Sequence, residues 1–197
     1  MRRLLLILLA LFAATPAPGF GQTSQPAVEV RGAFGLSHYL HGDLGYSAPT
    51  WLAAVRVGRG AFVFEPEFAS ARHQERQVFG PAPGSSGQTV TVSTDTYRSA
   101  ALNVLGRWGS SASVFAGGGP GFYWERSEYR VEAAANGYEQ KRTRGPRLGA
   151  QMLAGVDIPL ASRIKAFGQF RCEIRSFEDP GGGSVVQGFG GVAFALR

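Results

Sequence analysis

From Val28 onward the apolar residues of this chain recur at every second position, and no later stretch is long and apolar enough for a membrane-crossing helix. A period of two belongs to a strand whose two faces meet different surroundings. In the run 28–36, Val28, Val30, Phe34 and Leu36 share one face, while Glu29, Arg31 and the following Ser37 share the other. Trp51, Ala53, Val55 and Val57 alternate with Arg56; Phe62, Phe64 and Phe68 alternate with Glu65 and Glu67. Ala100, Leu102 and Val104 oppose Asn103 and Arg107, and Leu148, Ala150, Met152, Ala154, Val156 and Ile158 oppose Gln151 and Asp157. The clearest run sets Ile164, Ala166, Phe170, Cys172 and Ile174 against Lys165, Gln169, Arg171, Glu173 and Arg175. Val186, Val192, Phe194 and Leu196 form the last run, and the glycines of 114–124 leave that segment's faces unassigned.

The connections between runs are alternately long and short. Gly58-Arg59-Gly60, Gly109-Ser110-Ser111 and 159–162 read as tight turns. Longer polar loops are expected around His41, Gly42, Asp43 and Pro49, over 72–90, over 125–147, and at Pro180 and the glycines after it. Pro66 has no ladder donor, so its strand needs a bulge or an open position there. About eight strands with short turns at one rim and long loops at the other describe an all-β, antiparallel, up-and-down transmembrane barrel.

The N-terminus supplies the compartment. Arg2 and Arg3, the apolar stretch 4–14 and small, turn-prone residues up to Gly21 make the three parts of a secretory signal peptide. The expected division is therefore a signal peptide at 1–21 and one barrel domain at 22–197. Cys172 is the only cysteine, so stability must come from the closed ladder and not from an intrachain disulfide. Removing the leader brings the formal charge of +6 down to +4. An exported chain does not meet nucleic acid as its routine partner; outer-leaflet lipopolysaccharide is the polyanion at hand.

Period two alone does not say which face is inside. The polar set Glu29, Arg31, Arg56, Glu65, Glu67, Arg107, Asp157, Lys165, Arg171, Glu173 and Arg175 nearly cancels in charge. A narrow lumen requires such balance, because an unpaired buried charge costs several kcal/mol whereas a hydrogen-bonded pair is tolerated. These residues are accordingly placed inside, with Val63, Leu105, Leu153 and Phe167 as apolar members of the same face. An eight-stranded barrel is just wide enough for side chains to fill, so the lumen is expected to be plugged.

Several segments resemble the outer-membrane β-barrel domain family that includes OmpA-like, OmpX-like and opacity-protein barrels. They are Phe64-Glu65-Pro66-Glu67-Phe68, Ala101-Leu102-Asn103-Val104-Leu105, the glycine segment 113–122, the segment 149–157 and Phe170-Arg171-Cys172-Glu173-Ile174-Arg175. The resemblance covers nearly the whole mature chain through short, degenerate motifs. It implies an eight-stranded barrel in the bacterial outer membrane, loops facing outward, and no catalysis or cofactor. One departure is that the last apolar phase ends on Leu196 and Arg197, where the family commonly ends on an aromatic residue.

The remaining chemistry is sparse. His38 and His41 with Asp43 lack the common face a shared metal would need. The glycine run 117–121 has neither the helix nor the Lys-Ser/Thr pair of a phosphate loop. Lys141, Arg142, Arg144 and Arg147 form the most basic stretch and are candidate contacts for lipopolysaccharide phosphates. Trp51, Tyr97, Trp108, Tyr123 and Trp124 fall near strand ends, as girdle residues do. The leading expectation is a monomeric, non-enzymatic barrel in contact with outer-membrane lipids, serving envelope integrity or surface interaction. Two alternatives stand beside it. One is a lipid A-modifying enzyme using Ser37-His38 or the Ser70 to His73 stretch; the other is a soluble lipocalin-like carrier, which should show an apolar lumen and a charged exterior.

Overall fold

The structure is a computed structural model that describes residues 28–40, 46–58, 61–80, 89–109, 112–132, 138–175 and 184–196. The leader expected over 1–21 and the loop residues His41 and Asp43 lie outside the described residues. Eight strands follow in order: β1 (Val28–Leu40), β2 (Tyr46–Val57), β3 (Phe62–Phe79), β4 (Thr89–Trp108), β5 (Ser113–Glu132), β6 (Tyr138–Pro159), β7 (Ile164–Arg175) and β8 (Ser184–Leu196). Each pairs antiparallel with its neighbour in the chain, and β8 returns to β1 to close the barrel. Closure removes every sheet edge from the wall, the condition for placing strands in lipid.

Burial follows the pleat. Phe34, 79% exposed, stands on the exterior with Phe62, Phe64, Leu102, Val104, Phe122, Ile158, Phe170 and Phe194. A soluble monomer rarely carries an apolar surface of that extent, so the lipocalin-like inversion does not fit. Inside lie Glu29, Arg31, Arg56, Glu65 and Arg171, with apolar layers around Leu52, Phe167 and Phe189 and around Val63, Leu105, Phe115 and Leu153. The glycine strand also acquires faces: Ser113, Phe115 and Tyr123 are buried inward, and Val114 and Phe122 look outward.

Pro66 takes the open position, not the bulge. The β2–β3 ladder runs from Thr50↔Ala71 to Ala54↔Glu67 and resumes in the same register at Val57↔Phe64. It skips two pairs, those of Glu65 and Pro66, and the ring nitrogen of Pro66 has no hydrogen to offer. In β5, a Cβ added at Gly119 would fall 1.9 Å from the carbonyl oxygen of Leu102. No side chain fits so tight an approach, which explains the glycines of that wall.

The long polar loops expected at 72–90 and 125–147 are instead mostly strand. β3 continues to Phe79 and β4 begins at Thr89; β5 continues to Glu132 and β6 begins at Tyr138. Pro49, too, lies within β2 and not in a loop. Arg72↔Thr96, Thr94↔Glu128 and Ser127↔Arg142 are typical of the extra pairs. The four strands thus run on as a hydrogen-bonded sheet above the barrel wall. β2 stops pairing with β3 at Thr50↔Ala71, and β7 first pairs with β6 at Gly149↔Arg175, so among the described residues the extension is made by β3–β6. A register shift between Tyr123 and Glu125, opposite Gly145 with its φ of 113°, marks where the extension leaves the wall. Only glycine adopts that backbone region without strain.

Candidate functional site: the charged lumen and the outer rim

Two tiers of ions fill the lumen. In the tier nearer the short turns, Asp157 of β6 accepts from Arg31 Nη2 of β1 at 2.9 Å and from Arg56 Nη1 of β2 at 2.8 Å. Arg56 also donates from Nε to Glu65 Oε2 at 2.7 Å, and its Nη2 lies 2.7 Å from the same oxygen. Lys165 reaches Glu29, and Arg107 lies 3.7 Å from Asp157. The guanidinium carbons stack on rings: Arg31 is 3.9 Å from the Phe167 centroid, and Arg56 is 4.3 Å from that of Phe115. A delocalised cation with apolar faces tolerates this low-dielectric setting better than an ammonium would.

The second tier centres on Arg171. It donates to Glu67 and to Gln187 Oε1, and its Nη2 lies 3.2 Å from Glu173 Oε1. Gln151 donates from Nε2 to Glu67 and, at 2.8 Å, to Asn103 Oδ1. Gln187 continues the chain to Ser37 Oγ at 2.7 Å. Arg175 holds Glu173 Oε2 through Nε at 3.1 Å and Nη2 at 2.8 Å, under the rings of Tyr39, Tyr97 and Tyr123. Arg31, Arg56 and Arg171 are the largest fully buried side chains among the described residues. All eight interior residues singled out from the sequence (Glu29, Arg31, Arg56, Glu65, Glu67, Arg171, Glu173 and Arg175) lie within these two tiers.

The aromatic girdle divides. Trp51 stands on the exterior, 5.4 Å from the Phe68 ring. Tyr123 is instead buried, and Tyr97 packs against Tyr39 at 4.4 Å in the lumen mouth. Both tyrosines are in phase with inward residues, Tyr123 with Phe115 and Tyr97 with Ser99, which strand parity alone could have revealed. Asn103, Gln151, Gln187 and Tyr39 complete the lumen and were not among the candidate site residues.

The basic stretch of β6 does not act as one surface. Across the β5–β6 ladder, Arg142 faces Ser127, Arg144 faces Glu125 and Arg147 faces Tyr123, all in phase with the lumen side. Lys141, opposite Glu128, belongs to the outer side and lies 2.9 Å from Glu139 Oε1. That contact, with its hydrogen bond, holds the exposed Glu139 carboxyl below the usual glutamate range. At the rim, His38 Nδ1 lies 3.0 Å from Ser47 Oγ on the exterior. Among the described residues no cluster of His, Cys, Asp and Glu could hold a metal ion.

No family model matches the chain, and no curated protein matches its sequence. Among solved structures, the barrel is similar to Ail, the attachment invasion locus protein of Yersinia pestis, in complex with the heparin analogue sucrose octasulfate. That match has 11% identity, covers 87% of this chain and 99% of that one, and has a TM-score of 0.59. Another Ail structure matches at 8% identity over 87% and 99% of the two chains, with a TM-score of 0.52. Neisserial surface protein A matches at 9% identity over 86% and 97%, with a TM-score of 0.49. Identities this low concern the fold: an eight-stranded antiparallel barrel of the outer-membrane type. An apolar belt round a closed barrel is also the surface a bilayer requires.

Proposed function

We propose that this chain, freed of a signal peptide at 1–21, is a monomeric, non-enzymatic barrel of the bacterial outer membrane. Its ion-filled lumen passes no solutes, and its β3–β6 extension meets anionic partners outside the cell. The observation that carries this reading is the pairing of Arg31, Arg56 and Arg171 across the lumen, fully buried and in ion pairs with Asp157, Glu65 and Glu67. A pore would keep such groups hydrated and apart. The extension adds exposed basic residues on both faces, Arg126, Lys141, Arg142 and Arg144 among them. The Ail structure holding a sulfated sugar analogue gives this a chemical precedent on the same fold.

The test has two parts. Protein refolded in detergent and added to a planar bilayer should give no steady conductance, and in cells it should fractionate with outer membranes and migrate differently before and after heating. A stable open channel would sink the reading. Heparin fragments should bind the refolded protein, and K141Q/R142Q/R144Q should weaken that binding.

A second reading rests on His38 and Ser47. A serine nucleophile needs a base within hydrogen-bond reach, and their 3.0 Å contact on the lipid-facing side meets that condition. The residues opposite His38, Ser47 on β2 and Val186 on β8, bring no carboxylate to orient the ring. The ladder also occupies the backbone N–H groups that would stabilise an oxyanion. Lipid A acylation should therefore be the same with wild-type protein, H38A and S47A; an acyl chain lost only with the wild type would favour the esterase.

A further inference from the structure

The apolar belt ends in the same way on three adjacent strands, and in each case the first charged outward residue is arginine. On β3 it is Arg72, on β4 Arg98 and on β5 Arg126, each about ten residues from the far end of its outward apolar run. The register brings them together. Arg72 and Arg126 both lie directly opposite Thr96 of β4, one on each side, and Arg98 is two positions along from Thr96 on the same face. Strands about 4.8 Å apart and a rise of about 3.3 Å per residue put the three Cα atoms within about 10 Å of one another. Their side chains are long enough to converge above the Thr96 hydroxyl.

Beneath this triangle lie lipid-facing groups. Phe68, Ala100 and Phe122 form the row below, and Trp124 stands beside Arg98, directly opposite it in the ladder. Arg72 and Arg98 are exposed and make no hydrogen bond or ion pair among the described residues. Arg126 is steadied by Glu128, from Nη2 to Oε1 at 2.6 Å, with its side chain still 53% exposed. Glu128 lies further from the belt. Elsewhere among the described rim residues the outward positions differ: His38 and Ser47 near the ends of β1 and β2, Cys172, Ile174 and Val186 on β7 and β8, and on β6 Lys141, which is paired with Glu139. A general interfacial anchor would form a ring. This is a cluster on one side.

We infer that Arg72, Arg98 and Arg126 form a binding site for the phosphomonoester of an outer-leaflet glycolipid, lipid A, whose acyl chains lie along Phe68, Phe122 and Trp124. The inference rests on the proposed outer-membrane orientation, with the β3–β6 rim outward and the short turns inward. A sugar phosphate monoester carries close to two negative charges and three acceptor oxygens, which guanidinium groups bind in paired hydrogen bonds. Zwitterionic headgroups offer a single diester charge with a cation attached, a poorer match to three arginines. The site would seat one lipid at a fixed place on the wall, where the basic stretch of β6 would give diffuse attraction only.

Full-length protein in mixed micelles, titrated with bisphosphorylated lipid A and read by native mass spectrometry, tests this. R72Q/R98Q/R126Q should bind about tenfold more weakly, the scale expected for losing charge-assisted contacts. The control R163Q, at an exposed position beside the short turn at the opposite end of the barrel, should stay within about twofold of wild type, since a surface charge far from the site acts only through screened attraction. Dephosphorylated lipid A should bind wild type as weakly as lipid A binds the triple variant, and inorganic phosphate should not compete. Equal binding of phosphorylated and dephosphorylated lipid by a heat-modifiable barrel would overturn the site alone. Failure of the wild-type chain to give a heat-modifiable, lipid-inserted form would overturn the proposed function with it.

Discussion

The same four strands live in two environments. In the wall, β3 reads Phe62, Val63, Phe64, Glu65, one residue to lipid and the next to the lumen, and its burial alternates without a break as far as Ala69. Beyond Ala71 the strand continues with its ladder to β4 intact, yet from Gln74 to Phe79 every residue is exposed. The hydrogen bonds are alike; only the surroundings of the side chains differ. Strand pairing therefore does not itself produce alternation. Alternation records a difference between two media, and it vanishes where water lies on both faces.

That contrast can be broken most severely in the wall. Arg56→Ala should strip Glu65 of its hydrogen-bonded cation and Asp157 of one of its two arginine donors, at a cost of about 3–5 kcal/mol. Urea titration in micelles should show the loss, and replacing both Arg56 and Glu65 by apolar residues should recover part of it. On the lipid side, Leu102→Arg, in the middle of the outward run of β4, should cost about 2–4 kcal/mol. The same arginine at Gln74, an exposed outward position in the extension of β3, should change stability by less than about 0.5 kcal/mol. Equal costs at the two positions would mean that the extension is not solvated as described.

The smallest effect lies in the extension itself. Glu139 titrates below the usual glutamate range because Lys141 donates a hydrogen bond to it. A depressed carboxylate contributes above its unfolded value and loses that contribution as pH falls through the folded one. The Lys141 contact should thus be complete at neutral pH and open only in acid. Lys141→Gln should move the Glu139 titration, followed by NMR, upward toward the ordinary range, with no measurable change in barrel stability.

The sequence was most readable where media differ most. In β7, Arg171 and Glu173 alternate with Phe170 and Cys172, so the strand, its faces and its place in the ion network follow from the pattern alone. The strands of 72–79 and 125–132 carry no periodic signal and look like loops in the sequence because neither face is apolar. Their β-forming content, Val78, Phe79, Tyr129 and Val131, is the available signal. Tyr97 and Tyr123 were assigned to the girdle from their position near strand ends, whereas the parity of their strands puts them in the lumen. Nothing local in the sequence joins Arg72, Arg98 and Arg126. Only the register of two ladders makes them neighbours.

The cross-lumen contacts have a consequence for how the protein is made. Arg31 with Asp157, Glu29 with Lys165, Glu67 with Arg171 and Ser37 with Gln187 each tie the beginning of the chain to its end. None of these bonds can exist while the sheet is a partly rolled ribbon, so its polar residues stay wet until β8 meets β1. Zipping that last seam and expelling water from the axis then become a single cooperative event, and a half-assembled intermediate holds only pairs local to one hairpin or strand, such as Arg56 with Glu65.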